Sequence, residues 1–287
     1  MAPIGRRKGY ARTWRRALGA CGRRAVAVAV ASACALVPAP AGAQGTLRVV
    51  AYNIRHGQGM DDRVDLRRVA ETLRALGADV ITLQEVDDRT ERTGGVDQTA
   101  VLADLLGYHG VHGPHRPYQG GFYGNAVLTR LPVVSQTTHR IPPASESGLS
   151  VHEVVVEAAP GRRVSVVSVH LAGTAAERMA QADTVTVRFA DRAHPVILAG
   201  DFNGRPDDEV VGRLRGAWRV AVKRGDPRTY PADRPSREID FVMWRPGAEG
   251  SEAGLRLLRN FVGEERLASD HRPVVADFRL EPERRDP

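Results

Sequence analysis

Cysteine is almost absent from this 287-residue chain. Its two cysteines, Cys21 and Cys34, both fall within the first 43 residues. The rest therefore has no disulfide framework, no thiolate metal site and no cysteine nucleophile, and any metal must be held by oxygen or imidazole. Lysine is as scarce: Lys8 and Lys223 are the only two, so a single lysine lies beyond residue 43. Acidic residues are missing from residues 1–43, where eight Arg and Lys stand unopposed. Those eight account for the formal charge of +7, since they leave 33 basic against 34 acidic residues elsewhere. A nonspecific nucleic-acid binder draws its affinity from Lys and Arg set against phosphates. A near-neutral body with one lysine does not favour such a groove, although its arginines are many.

Long apolar runs are lacking too. The one conspicuous run, "AVAVAVASACALV" (25–37), is about 13 residues, too short to cross a bilayer comfortably. It follows a basic stretch ending at Arg23-Arg24 and precedes Ala41-Gly42-Ala43, a small-x-small cleavage pattern. This predicts an export signal over 1–43, a mature chain from Gln44 and a secreted, cell-surface or periplasmic location. An uncleaved anchor is the alternative. The arginine pair permits a twin-arginine route as well as the general one.

What is present is an alternation of strand-like and helix-like segments with no internal repeat and no composition break. "TLRVVAYNI" (46–54) reads as a strand. In 64–77, Leu66, Val69, Ala70, Leu73 and Leu76 share one helical face, with Asp65 to start the helix and Gly77 to stop it. "ADVITLQEV" (78–86) reads as a buried strand, 97–106 as a helix and 107–124 as a loop rich in Gly, His, Pro and Tyr. "GNAVLTR" (124–130) is a strand. Two alternating strands joined by Pro160-Gly161 span 151–171. A helix over 174–192 opens on Thr174 and Glu177, the spacing of a capping box. "PVILAGDFN" (195–203), "IDFVMW" (239–244) and "PVVADF" (273–278) are further strands, with a short helix at "DDEVVGRLR". Hairpins mixed with helical crossovers predict an α/β sandwich over 44–281, two mixed β-sheets packed face to face with helices outside, and a tail at 282–287.

The polar residues fall where these strands run out. Asn53 follows "VVAY", Glu85 follows "VITLQ", His170 follows "VVSV", and Asp201 and Asn203 follow "VILAG". Asp240 opens "FVMW", and Asp270 and His271 precede the final strand. Singly, each has a plain explanation: a turn former, a solvated strand end, a satisfied core histidine. Independent accidents at so many strand ends are improbable, and strand ends gathered at one edge would line a cleft.

The motifs "AYNIRHG" (51–57), "LQEVD" (83–87), "YGNAVLTR" (123–130), "VSVHL" (167–171), "AGDFNGRP" (199–206), "REIDFVMW" (237–244) and "SDHRPVVADF" (269–278) together resemble those of the endonuclease/exonuclease/phosphatase superfamily, the deoxyribonuclease I-like fold. The resemblance covers residues 47–280. It implies a four-layered sandwich and metal-dependent cleavage of a phosphate ester. By that resemblance Glu85 is the metal-binding glutamate with Asn53 beside it, and Asp270 an acid near the metal. Asp201 and Asn203 are the Asp-x-Asn pair that handles water and phosphate. His170 contacts phosphate, and His271 is paired with Asp240. The chemistry is consistent: Mg²⁺, or Mn²⁺, accepts one or two carboxylates and leaves positions for phosphate oxygens. Asp201 and His271 compete for the role of water base, and His170 is either a second donor or the proton source for the leaving oxygen.

Thr229-Tyr230-Pro231 before Arg237-x-Ile239-Asp240 resembles the compact secreted bacterial branch of the superfamily. That makes a lipid or inositol head group a candidate substrate, with Tyr230 lining the pocket and transient contact with a membrane surface. Arg140, Arg205 and Arg237 are candidate phosphate holders. The reading is an exported phosphoesterase, a monomer acting on a phosphodiester; a secreted endonuclease is the alternative.

Overall fold

The computed structural model describes residues 45–142, 148–247 and 254–281. The export segment expected at 1–43, Gln44 and the tail expected at 282–287 lie outside the described residues. In chain order the elements are β1 (Thr46–Asn53), α1 (Leu66–Leu76), β2 (Val80–Asp88), α2 (Gln98–Leu106), β3 (His109–Tyr118), β4 (Gly121–Thr129), β5 (Val133–Ile141), β6 (Leu149–Ala159), β7 (Arg162–His170), α3 (Ala175–Arg188), β8 (Val196–Asp201), α4 (Glu209–Arg215), β9 (Arg219–Val220), β10 (Asp240–Arg245), β11 (Leu255–Val262) and β12 (Val274–Leu280). They form two six-stranded mixed sheets, ordered β11-β12-β1-β2-β4-β3 and β5-β6-β7-β8-β10-β9.

Period-two alternation builds the layers. In β1, Leu47, Val49 and Ala51 enter the core between the sheets, while Val50 and Tyr52 face the other way, against Val69, Ala70 and Leu73 of α1 and Leu102 of α2. In β8, Ile197 and Ala199 point to the shared core, whereas Val196 and Leu198 meet Ala182 and Val185 of α3. Each sheet is thus apolar on both faces, and helices cover the outer one. The result is the four-layered sandwich the sequence implied.

The helices end where local chemistry ends them. Asp65 caps α1 by accepting from the Arg68 N–H, and Gly77 closes it at φ 59°, in the left-handed region that glycine enters at no steric cost. Thr174 and Glu177 form the expected capping box on α3, which stops at Arg188, short of the expected 192.

Four strands were not legible, one of them the two-residue edge strand β9. The expected loop at 107–124 is instead the β3–β4 hairpin, turning at Gln119-Gly120. Pro114 and Pro117 argue against a strand, but β3 lies at a sheet edge, where a missing N–H costs no ladder bond. β5 is another edge strand, mostly exposed and polar, so it carries no alternation. The third is β11, also at an edge. Among the described residues no helix is long and apolar enough to cross a membrane.

Candidate active site

The site is a continuation of the inter-sheet core. In β1 the inward row Leu47, Val49, Ala51 runs on to Asn53. In β7 Val164 and Val166 lead to Ser168 and His170. In β8 Ile197 and Ala199 lead to Asp201, and in β10 Trp244 and Val242 lead back to Asp240. Strand direction gathers these ends. β7 and β8 are parallel with His170 opposite Asp201; β10 is antiparallel to β8 with Asp240 opposite Asp201. β12 runs antiparallel to β1, so the residues just before it, Ser269 to Pro273, arrive beside Asn53, and Ser269 Oγ donates to the Asn53 carbonyl at 2.7 Å.

Glu85 reaches the same place by breaking the alternation. Thr82 and Gln84 point inward, to Ala199 O and Ser168 Oγ, while Ile81, Leu83 and Val86 face the helices. Odd and even positions can share the outer face only if one residue is inserted. The β2–β4 register slips by one residue between Leu83 and Val86, and Glu85 adopts φ 57°. A β-bulge re-aims one side chain in this way, and a non-glycine residue held in that region at a cost is a mark of a functional position. A second slip, between Pro114 and Arg116 of β3, flanks the same point of β4. Gly124 sits between the two, where a Cβ would come within 2.3 Å of the Gly113 carbonyl.

The polar groups form one network. Asn53 Nδ2 donates to Glu85 Oε1 at 3.0 Å and to Asp201 Oδ2 at 3.2 Å, while its own Oδ1 accepts from the Arg55 N–H. Asp201 Oδ1 accepts from the Asn203 N–H at 2.8 Å. His170 Nε2 and His271 Nε2 each stand 3.7 Å from Asp201 Oδ2. His271 Nδ1 lies 2.9 Å from Asp240 Oδ2. Burial raises the pKa of Asp201, and the neighbouring Asp240 charge raises it further against the opposing pull of the imidazoles. Burial alone would lower the pKa of His271; the carboxylates of Asp240 and Asp201 outweigh it and raise it to about 10.

The donor set suits a hard divalent cation. Glu85 and Asp201 share the Asn53 amide, Asp201 and Asp240 flank His271, and no cationic side chain forms an ion pair with Glu85 among the described residues. Asp270 faces Arg55 at 3.8 Å. Among the described residues, Asp201, Asp240 and His271 bring one ligand-type atom each within 4.8 Å of one another. His271 is engaged with the Asp240 carboxylate through Nδ1, whereas Glu85 Oε1 meets only the Asn53 amide among the described residues.

The remaining expected residues divide. Tyr230 packs its ring 4.9 Å from that of His271 and carries Arg237 at 4.4 Å on its own ring. Asn203 is exposed, and one N–H of its amide is held by Leu171 O at 2.8 Å, so only its other N–H faces outward freely. Arg205 is exposed. Arg140 is exposed and donates to the His115 carbonyl. Lys223, the only lysine beyond the N-terminal segment, is buried against Glu238 at 2.6 Å. Sequence reasoning missed His115 and Tyr123, whose rings lie 5.8 Å apart, with His115 6.4 Å from His170. His115 had no signal beyond the density of His and Tyr in 107–124, which has no periodicity, whereas Tyr123 opens the motif "YGNAVLTR".

Comparison with known proteins agrees with this fold. The Escherichia coli K12 protein YbhP is 26% identical over 261 residues, covering 83% of this chain and 98% of YbhP. The crystal structure of an endonuclease/exonuclease/phosphatase from Beutenbergia cavernae superposes with a TM-score of 0.67 at 26% identity, over 83% of this chain and 72% of that one. Humanized D. rerio TDP2 superposes at 0.65 with 20% identity, over 81% and 98%, a likeness of fold alone. The profile of the Endonuclease/Exonuclease/phosphatase family matches residues 50–271, a span that holds Asn53, Glu85, His170, Asp201, Asp240 and His271, and the chain belongs to that family, whose members are hydrolases of phosphate esters.

Proposed function

We propose that this chain is an exported, metal-dependent phosphoesterase that hydrolyses a phosphodiester in a small or lipid-linked substrate. One observation carries the proposal: Asn53, Glu85, His170, Asp201, Asp240 and His271 meet at the mouth of one core. A phosphodiester is an anion that repels hydroxide, so its cleavage needs positive charge at the phosphate and an aligned nucleophile. Glu85, with Asn53 and Asp270, would hold a Mg²⁺-class ion, Mn²⁺ being the alternative. That ion, when bound, supplies positive charge against the phosphate.

The protein's own groups do the rest. His271, with its pKa at about 10, stays cationic at neutral pH and serves as a donor to phosphate, which leaves Asp201 as the base. The raised pKa of Asp201 makes it more basic than an ordinary carboxylate, and Asn53 and Asn203 fix its two oxygens toward the water it deprotonates. His170 protonates the leaving oxygen; its Nδ1 is buried without a partner among the described residues. Asp240 acts through His271 as a positioning residue. Asn203 offers its free amide N–H to a phosphate oxygen.

Several features support a small or lipid-linked substrate. Lys223 is unavailable to a nucleic-acid backbone. Phe122 and Leu267, 43% and 44% exposed, stand on the β3–β4 hairpin and on the loop leading to Asp270, where they would meet a membrane surface. The proposal takes the chain to act as a monomer. The basic, apolar and small-residue order of 1–43 supports export. A secreted endonuclease is the second reading, favoured by exposed Arg205 and Arg237 near the site. Hydrolysis of phospholipids, glycerophosphodiesters, inositol phosphates and plasmid DNA, with and without EDTA, tests both. Metal-dependent cleavage of a lipid or small diester with plasmid left intact is the expected result; rapid nicking of plasmid alone overturns it.

A further inference from the structure

Two arginines stack against the same two tyrosines on the β3–β4 side of the site, and they are not equivalent. The Tyr118 and Tyr123 rings lie 6.3 Å apart. Arg92 Cζ and Arg116 Cζ each lie 4.8 Å from the Tyr118 ring centre and 5.6 Å from that of Tyr123. Arg92 is fully engaged: its Nε and Nη2 donate to buried Asp87 at 2.7 and 2.8 Å. Arg116 is half-buried, yet among the described residues it meets no carboxylate and no carbonyl. The Tyr123 hydroxyl likewise has no hydrogen-bond partner among them.

This cluster borders the catalytic groups. Tyr123 pairs with Asp87, two residues beyond Glu85 on β2. His115, adjacent to Arg116 and inserted by the β3 bulge, bridges from Tyr123 to His170 by ring contacts of 5.8 and 6.4 Å. A guanidinium stacked on aromatic rings keeps its fork of donors in a fixed plane and is weakly hydrated, the condition under which it binds an oxyanion through two N–H groups. Leaving such a group half out of water without a partner costs free energy that an anionic ligand would recover.

We propose that Arg116, held by Tyr118 and Tyr123, is a subsite for a second anionic group of the substrate, a phosphate-like group distinct from the one being cleaved. This rests on the phosphoesterase reading and narrows it: the preferred diester carries a further phosphate on the side of the site that faces the β3–β4 hairpin. The same chemistry arises in a soluble phosphorylated alcohol and in a phosphorylated lipid head group.

Matched substrates test it. In the soluble arm, the full chain is assayed with the p-nitrophenyl ester of thymidine 5′-phosphate, with and without a 3′-phosphate. In the vesicle arm, phosphatidylcholine vesicles carry phosphatidylinositol or its 4-phosphate, and release of the head group is measured. The expected result is a preference in kcat/KM for the additional phosphate on the order of tenfold or more in at least one arm, expressed mainly in KM. The arm with the larger preference identifies the source of the anion. Arg116→Ala should bring the ratio close to one with an unchanged melting temperature. Arg116→Lys, which keeps the charge and loses the fork, should restore part of it, a rescue that a merely structural arginine would not give. Equal rates on the matched substrates, or a preference that survives in Arg116→Ala, overturns the subsite while hydrolysis of the plain diesters leaves the phosphoesterase reading standing. Absence of hydrolysis of every substrate overturns both.

Discussion

The β1–α1–β2 and β7–α3–β8 units are built alike and end differently. Each is a pair of adjacent parallel strands joined through a helix that covers the outer face of the sheet, and each delivers a carboxylate to the site. In the second unit the carboxylate stays in register: Asp201 sits opposite His170, buried, between imidazoles, with its pKa raised by burial. In the first unit Asn53 pairs with Gln84, and the acid is the next residue, Glu85, turned by a bulge, half-exposed and without a cationic partner. One topology therefore provides two chemically different acids. An acid that is open and uncompensated suits a cation; one that is enclosed and held at raised pKa suits proton transfer.

Breaking the first unit should have the largest effect. Glu85→Ala should lower kcat/KM by about 10³-fold or more and abolish calorimetric binding of Mg²⁺ or Mn²⁺, with little change in stability because the side chain is half-exposed. Unchanged metal-dependent hydrolysis in that variant would remove Glu85 from its role.

The second unit should respond in stability as well. Asp240→Asn removes the partner of buried His271, and breaking a buried pair costs about 3–5 kcal/mol. The pH dependence follows from the raised His271 pKa. Its contribution to stability is fully present below the unfolded value near 6.5 and is lost as pH rises through about 10. Urea midpoints of the native protein should therefore fall across that window in a way that those of Asp240→Asn do not. Parallel pH profiles for the two proteins would contradict the assignment.

Gly124→Ala tests the bulge directly. Its new methyl must displace the Gly113 carbonyl, an overpacking expected to cost about 1–3 kcal/mol, and activity should fall because Glu85 is re-aimed from the neighbouring bulge. A variant that loses stability and keeps full activity would separate the bulge from function. Asp65→Ala, at the start of α1, is the smallest perturbation. It should cost about 1 kcal/mol through the lost cap and leave KM and kcat unchanged, since α1 supplies packing and no side chain to the site.

Much of this was legible because burial imposes periodicity. Two-faced apolar strands such as 80–83 and 196–199, the 66–76 stripe and the caps at Asp65 and Thr174 can be read without coordinates, and so can polar residues placed one step past each apolar row. The edge strands β3 and β5 were not, because an edge strand can be polar or contain proline without losing its ladder. Glu85 was legible as a strand end but not as a bulge, since an inserted residue shows only when the outer row resumes at Val86.

The chain by itself determined which groups are available: no thiol beyond residue 43, one lysine there, and acids, amides and imidazoles at the ends of apolar rows. Only the tertiary structure decided their partners. It set both His170 and His271 against Asp201, enclosed Asp201, left Glu85 open, buried Lys223 against Glu238 and, among the described residues, left Arg116 without an anion. The physical reason is that a side chain's charge and reach depend on burial and on neighbours distant in sequence, and those are set by strand register and packing.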